Sequence, residues 1–138
     1  MRSAFPMKRI LVIEDQAPMR RNLALMLEME GFEVVEAEDG YDGIEQYDRS
    51  RPDLIVMDVN MPRLDGKETL KQLRKIEDYN QVPIVLFTTS SSAEDARFAK
   101  KFNAGYLTKP MNANQIEFIA DKFLNYCSEE VRKNILPG

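Results

Sequence analysis

The chain has 138 residues, of which 43% are hydrophobic and 30% charged; it carries a formal net charge of −4, one cysteine and no histidine. This composition fits one globular domain and argues against direct binding to nucleic acid or to an anionic membrane surface; it also excludes an internal disulfide and histidine-based catalysis or metal ligation. No apolar run is long enough to span a bilayer and the start lacks the apolar stretch of a signal peptide, so no membrane insertion is expected. The single cysteine, Cys127, suits a reducing compartment, so we expect a cytoplasmic protein.

Short apolar runs alternate with helical stretches along the chain. Five strands are predicted, at Lys8–Ile13, Glu33–Ala37, Leu54–Met57, Ile84–Phe87 and Gly105–Leu107. A helical stretch follows each strand, which indicates βαβ units and a parallel sheet with helices on both faces. The central runs are apolar at every position, as burial on both faces of a sheet requires. The fold class is therefore α/β, with one domain over residues 7–127 between tails at 1–6 and 128–138.

The helices carry burial, start and stop signals. A broad apolar stripe is predicted to pack in the first helix, comprising Leu23, Leu25, Met26, Leu27 and Met29. Gly31 is its expected stop, and Asp39 is the expected cap of the second helix. The apolar stripe of the third helix comprises Leu70, Leu73 and Ile76. The run Ser91-Ser92-Ala93-Glu94 fits a capping box for the fourth helix.

Polar side chains follow the strands of the predicted sheet. Glu14 and Asp15 come after the first strand, Asp58 after the third, Thr88 after the fourth, and Lys109 follows the fifth. The carboxyl ends of parallel strands meet at one edge of a sheet, so these side chains should lie together. Three carboxylates repel one another unless a cation intervenes, and Mg²⁺ suits them because it needs few protein ligands. The set therefore suits a magnesium-assisted phosphoryl transfer onto Asp58.

Most of these residues, and Tyr106 in the predicted fifth strand, also have an ordinary structural interpretation. The pair Glu14-Asp15 could be a helix cap with a solvated acid, and Asp58 could be a turn-forming acid at a strand end. Lys109 could be a solvated loop lysine, and Tyr106 an amphipathic aromatic on a strand. For Asp58 alone the structural interpretation would be the better one, and the joint occurrence of the acids favours the phosphoryl site.

In its motifs the chain resembles the receiver domain of bacterial two-component response regulators, in the stand-alone form of the chemotaxis regulators. The resemblance covers roughly residues 7 to 127. It is carried, in the family's order and spacing, by Glu14, Asp15, Asp58, Met61-Pro62, Asp65-Gly66, Thr88, Gly105, Tyr106 and Lys109-Pro110. It implies a flavodoxin-like, doubly wound (βα)5 fold whose five-stranded parallel sheet has the order 2-1-3-4-5. No output domain is expected in this chain.

The resemblance also implies a metal site and an acceptor. Asp58 would be the phosphoacceptor, in the way that other aspartates form phosphoenzymes. Asp15 and Asp58 would bind Mg²⁺, or Mn²⁺ in its place, directly. Glu14 would act through a metal-bound water, and the backbone carbonyl of Asn60 would supply another ligand.

Residues around the acceptor take roles by the same resemblance. Lys109 and Thr88 would surround the oxygens of the transferring phosphoryl group, and Thr88 and Tyr106 would form a switch pair. Ser90 and Asn60 would tune self-dephosphorylation. Pro62 and Gly66 are expected to fix unusual backbone dihedrals in the turn into the third helix.

The resemblance implies partners as well. A sensor histidine kinase or a histidine phosphotransfer protein would supply the phosphoryl group, and a downstream protein target would bind the switching face of α4, β5 and α5. Apart from the resemblance, Phe118 and Tyr126 lie at i and i+8 on the outer side of the predicted last helix, which suggests a docking or homodimer patch. The alternatives are isolated exposed aromatics or cover from the C-terminal tail. The domain would be a signalling module that catalyses only its own phosphorylation and dephosphorylation.

Three other functions compete with this one. An aspartate-nucleophile phosphatase of the haloacid dehalogenase type would need an acid two residues after Asp58, where Asn60 stands. A flavin or nucleotide module would need a Gly- or Ser/Thr-rich loop after the first strand, where the anionic run Glu14-Asp15-Gln16 stands. A receiver-like scaffold that acts without phosphorylation would lack some of the key residues, all of which are present here.

Overall fold

A computed structural model describes residues 7–76, 82–89, 92–108, 114–115 and 117. Strands and helices alternate in the order β1 (Arg9–Ile13), α1 (Ala17–Met29), β2 (Glu33–Ala37), α2 (Gly40–Ser50), β3 (Leu54–Asp58), α3 (Gly66–Ile76), β4 (Ile84–Thr88), α4 (Ala93–Lys101) and β5 (Gly105–Thr108). The predicted strands agree with these bounds to within one residue at each end. Both predicted tails lie outside the described residues, as does almost all of the predicted fifth helix.

The five strands form one parallel sheet in the order β2-β1-β3-β4-β5. The predicted flavodoxin-like, doubly wound architecture is therefore confirmed. Strands β3 and β4 are buried at every position, because helices cover both faces of the sheet centre. Within the described ranges, no helix has both the length and the apolar character that crossing a membrane would require.

Two apolar clusters fill the spaces above and below the sheet, and alternate strand residues point into each. On the face covered by α1, Val12 and Val56 pack with Leu27. On the opposite face, covered by α2, α3 and α4, Ile13 and Met57 belong to the second cluster. Burial of these clusters holds the strand ends in register, and that register positions the site.

The predicted apolar stripes were partly wrong. In α1, Leu23 and Leu27 are buried, whereas Leu25 is 57% exposed and Met29 is 79% exposed. In α3, Leu70 and Leu73 are buried, but Ile76 is 51% exposed at the end of the helix. The sheet contacts only one side of a helix, and five apolar residues spaced as in α1 extend beyond that side.

The helix ends largely follow the sequence signals. Asp39 caps α2 by accepting a hydrogen bond from the Asp42 amide at 2.8 Å, as predicted. Gly31 follows the end of α1 with a φ of 98°, a left-handed value that glycine adopts readily. Within the predicted capping run of α4, Ser92 is the N-cap and its side chain accepts a hydrogen bond from the Asp95 amide at 3.2 Å. The Ser92 amide donates to the Tyr106 hydroxyl, so the reciprocal bond of a capping box is replaced.

Candidate functional site

The acids lie at the carboxyl-terminal edge of the sheet, at the centre of the strand order. Ile13 pairs with Met57, so Glu14 follows β1 at the level where Asp58 ends β3. Asp58 in turn pairs with Phe87, which places Thr88 one residue beyond it on β4. The parallel register therefore brings the predicted acceptor between the predicted metal ligands and the predicted switch hydroxyl.

Glu14, Asp15 and Asp58 form the one acidic cluster with metal-binding spacing among the described residues. One carboxylate oxygen from each lies within 4.8 Å of the others. Glu14 is 1% exposed and Asp58 is 5% exposed, while Asp15 is half-buried. This spacing and the oxygen-only donor set fit a hard divalent cation.

The turn after β1 is held from both sides. The Glu14 amide donates to the carbonyl of Ala37 in β2 at 3.0 Å, and Arg20 of α1 donates to the Glu14 carbonyl at 2.7 Å. Arg20 is itself paired with Glu36 at 3.2 Å. These bonds fix the backbone that carries Glu14 and Asp15 before any cation binds.

The loop after Asp58 closes tightly over the strand end. The Asn60 amide donates to the Asp58 carboxylate at 3.2 Å, and the Gly66 amide donates to the Val59 carbonyl at 2.8 Å. The prediction that Pro62 and Gly66 carry the unusual dihedrals was wrong, because the left-handed residue is Arg63, with φ 65°. Gly66 is required for another reason: a Cβ there would overlap the Asp58 carbonyl.

The predicted switch pair lies on neighbouring strands. Thr88 ends β4 and is buried. Tyr106 is half-buried in β5, where its ring packs against the cluster under α4. Its hydroxyl accepts a hydrogen bond from the Ser92 amide at 3.1 Å, at the start of α4. Tyr106 thus links β5 to the loop between β4 and α4.

Four predicted site residues lie outside the described residues: Lys109, Ser90, Phe118 and Tyr126. Their predicted roles as phosphoryl ligand, dephosphorylation residue and partner patch therefore remain predictions.

Two ion pairs near this edge were not predicted from the sequence. Arg63 pairs with the buried carboxylate of Asp39, which the sequence indicated only as a helix cap. Lys67 of α3 pairs with Asp95 of α4 at 2.8 Å, and this hydrogen bond raises the pKa of Lys67. Both pairs join distant parts of the chain, so no local pattern signals them.

Comparison with known proteins agrees with this geometry. A family model described as the response regulator receiver domain matches residues 10–120. Protein PilH of Pseudomonas aeruginosa is 36% identical over 107 residues, which cover 77% of this chain and 88% of PilH. The probable transcriptional regulator ycf27 of Porphyridium aerugineum is 34% identical over 132 residues, 95% of this chain; the chain spans only 54% of the length of that relative. The Vibrio cholerae chemotaxis protein CheY4 superposes with a TM-score of 0.80 at 30% identity, over 86% of this chain and 100% of that one.

Proposed function

Since the chain belongs to the response regulator receiver domain family, we propose that it accepts a phosphoryl group on Asp58 with the help of Mg²⁺ and thereby controls a partner protein. The observation that supports this most is the gathering of Glu14, Asp15 and Asp58 within 4.8 Å at the end of buried strands. Like charges are costly to bury together, so this arrangement favours a cation at the site.

The transfer needs a nucleophile, charge neutralisation and a donor. A carboxylate oxygen of Asp58 attacks phosphorus, the bond from phosphorus to the donor breaks, and the leaving group keeps that electron pair and takes a proton. Asp15 and Asp58 would hold Mg²⁺, which would supply neutralisation of the charge on the phosphoryl oxygens. The Asn60 amide orients the Asp58 carboxylate, and the Asn60 carbonyl is the further ligand that we propose. Mn²⁺ can substitute, because it also favours oxygen ligands.

We propose a sensor histidine kinase or a histidine phosphotransfer protein as the donor and a cytoplasmic location. The chain would act as a signalling domain that turns over only its own phosphoryl group. Thr88 and Tyr106 would transmit the effect of phosphorylation to α4, since Tyr106 already contacts the start of α4 through Ser92. The partner would bind the face formed by α4, β5 and the segment that follows.

Intact-mass measurement tests the proposal directly. The protein is incubated with Mg²⁺ and a small acyl phosphate, and its mass is compared with that of Asp58→Asn and Asp65→Asn variants. Asp65 is the matched control, because it also lies beside the β3–α3 loop but its carboxylate caps α3 through the Glu68 amide at 2.8 Å. We expect one added phosphoryl group on the wild type and on Asp65→Asn, and none on Asp58→Asn.

Two outcomes would contradict the proposal. A folded wild type that gains no mass from the small donor or from a histidine kinase would point to a scaffold that acts without phosphorylation. Steady turnover of small phosphate esters would point to a phosphatase, although Asn60 stands where that chemistry needs an acid.

A further inference from the structure

A fourth acid, Asp39, lies just after the end of β2, near the metal-binding edge of the sheet. It is only 4% exposed, and it accepts a hydrogen bond from the Asp42 amide at 2.8 Å. Its carboxylate is paired with the guanidinium of Arg63, which comes from the loop after β3. A buried carboxylate is stable when it is hydrogen-bonded and neutralised, and Asp39 has both kinds of partner.

Arg63 is held in an unfavourable backbone conformation. Its φ of 65° lies in the left-handed region, which residues with a Cβ adopt rarely. Its guanidinium carbon lies 5.7 Å from the centroid of the Tyr41 ring, within the range of a cation–π contact. Contacts with Asp39 and Tyr41 therefore attach the tip of the β3–α3 loop to the first turn of α2.

The same loop carries Asn60 and has little freedom between its two ends. Leu64, next to Arg63, is buried, and its amide donates to the Pro62 carbonyl at 2.8 Å. The Leu64 carbonyl lies so close to Gly40 of α2 that a Cβ on Gly40 would overlap it. The position of the loop is thus set by its contact with α2, and Asn60 lies three residues before Arg63.

We propose that Arg63 is a positioning residue for the metal site. By pairing with Asp39 and stacking on Tyr41, it holds the loop so that the Asn60 carbonyl is presented to the cation. The inference rests on the proposed function, because it assumes that Mg²⁺ binds at the acidic cluster. Residues that orient metal ligands without touching the metal typically change its affinity by about 10-fold to 100-fold.

The chain offers a matched control at the other end of α2. Arg51 is also left-handed, with φ 50°, and its guanidinium carbon lies 5.9 Å from the centroid of the Tyr47 ring. It also pairs with an acid, Asp48, at 3.3 Å. Arg51 therefore shares the backbone conformation and the types of contact of Arg63, but its acid partner is exposed where Asp39 is buried, and it lies at the opposite edge of the sheet from the acidic cluster.

Calorimetric titration with Mg²⁺ tests the proposal on the full chain, with Arg63→Gly compared with Arg51→Gly. Glycine adopts the left-handed conformation without strain at both positions, but Arg63→Gly also leaves the buried Asp39 carboxylate without its counter-charge. We therefore expect Arg63→Gly to unfold at a lower urea concentration than Arg51→Gly in the absence of metal, and Mg²⁺ binding is compared on the folded proteins. We expect the dissociation constant for Mg²⁺ to rise about 10-fold in Arg63→Gly and less than about 2-fold in Arg51→Gly.

A double-variant cycle then assigns the effect to the ion pair. The Asp39→Asn substitution keeps the helix cap but removes the negative charge. In that background, Arg63→Gly should weaken Mg²⁺ binding by less than about 2-fold. A full 10-fold effect there would overturn the assignment to Asp39.

Two further outcomes separate a failure of the positioning role from a failure of the proposed metal site. Wild-type affinity in Arg63→Gly, with or without a change in metal-free stability, would overturn the positioning role and leave the metal site intact. Failure of the wild type itself to bind Mg²⁺ would contradict the proposed metal site, and the positioning role would fall with it.

Discussion

Charged side chains are arranged differently at the two edges of the sheet. At the amino-terminal edge, Arg74 of α3 donates to three backbone carbonyls, those of Val82 at 2.8 Å, Phe102 at 2.9 Å and Asn103 at 3.2 Å. At the carboxyl-terminal edge, three carboxylates of like charge lie within 4.8 Å of one another. Both edges use charged side chains to join elements, as the Arg63–Asp39 and Lys67–Asp95 pairs do near the carboxyl-terminal edge. Among the described residues, only the carboxyl-terminal edge also gathers three carboxylates at metal-binding spacing.

The helix ends explain part of this difference. Helices α2, α3 and α4 end at the amino-terminal edge, where their last carbonyls concentrate partial negative charge that favours arginine. Arg9 illustrates the same preference, because its side chain donates to the Ser50 carbonyl at the end of α2. The amino-terminal edge therefore contributes to stability, whereas the carboxyl-terminal edge also holds like charges whose repulsion costs stability, as is common at functional sites.

Removal of Arg74 should have the largest effect on stability. Arg74→Met leaves three carbonyls without their charged donor, so we expect the free energy of unfolding to fall by about 3 kcal/mol. Urea unfolding measures this loss. The control is Arg49→Met, whose only described ion pair is with Glu45 one turn away at 2.8 Å on an exposed helix face; its loss should cost about 0.5 kcal/mol or less.

The same variant tests the division between the edges. Folded Arg74→Met should bind Mg²⁺ with wild-type affinity, because the substitution lies at the edge away from the acids. A large loss of Mg²⁺ affinity in this variant would show that the two edges are coupled.

Mg²⁺ should stabilise the protein through the carboxyl-terminal edge alone. At a concentration of 100 times its dissociation constant, a ligand that binds only the folded state adds about 2.7 kcal/mol to the free energy of unfolding. We expect this gain in the wild type and its loss in Asp15→Asn, as measured by urea unfolding with Mg²⁺ and with chelator.

An acid at the other edge supplies the control for that measurement. Asp53 accepts a hydrogen bond from the Arg9 amide at 2.7 Å, so Asp53→Asn should lower stability with or without metal. The added stability due to Mg²⁺ should be unchanged in this variant. An equal loss of the Mg²⁺ effect in both variants would indicate nonspecific binding of the ion to surface acids.

The smallest expected effect concerns Lys67, which bridges α3 and α4 near the carboxyl-terminal edge. The hydrogen bond to Asp95 raises the pKa of Lys67, so the folded state favours the charged form. The pair therefore stabilises the protein below the pKa of an unfolded lysine, about 10.4, and its contribution is lost as the pH rises through the higher folded value. Lys67→Met should cost about 0.5 kcal/mol at pH 8, and the difference from wild type should shrink by pH 11.

Urea unfolding at the two pH values measures this change. Lys71→Met is the control, because Lys71 pairs only locally with Glu68 at 3.8 Å within α3 among the described contacts. A difference between Lys67→Met and wild type that does not vary with pH would mean that Lys67 acts through the packing of its aliphatic stem and not through its charge.

The strands and the acidic cluster could be predicted from sequence because both depend on short, continuous patterns. A run buried on both faces is apolar at every position, and the acid that ends it is carried to the sheet edge by the strand itself. The faces of α1 and α3 could not be predicted fully, since Leu25 and Ile76 are apolar yet exposed. Only the packing of the helix on the sheet decides which apolar residues are covered.

The other features that were not predicted from the sequence have a different cause. The pairing of Arg63 with Asp39 depends on how the β3–α3 loop meets α2, and the sequence shows neither the approach nor the left-handed backbone of Arg63. The need for glycine at position 66 likewise comes from the nearby Asp58 carbonyl and not from the dihedrals of the turn. Contacts between segments decide these features, so reading one segment at a time misses them.

The closed β3–α3 loop also limits how this part of the sequence can change in evolution. The hydrogen bond from the Gly66 amide to the Val59 carbonyl closes the loop between them at a fixed number of residues. Exposed positions such as Pro62 can be substituted, but an insertion or deletion would break this hydrogen bond. We therefore expect related chains that keep the site to differ in residue type across this interval and not in its length.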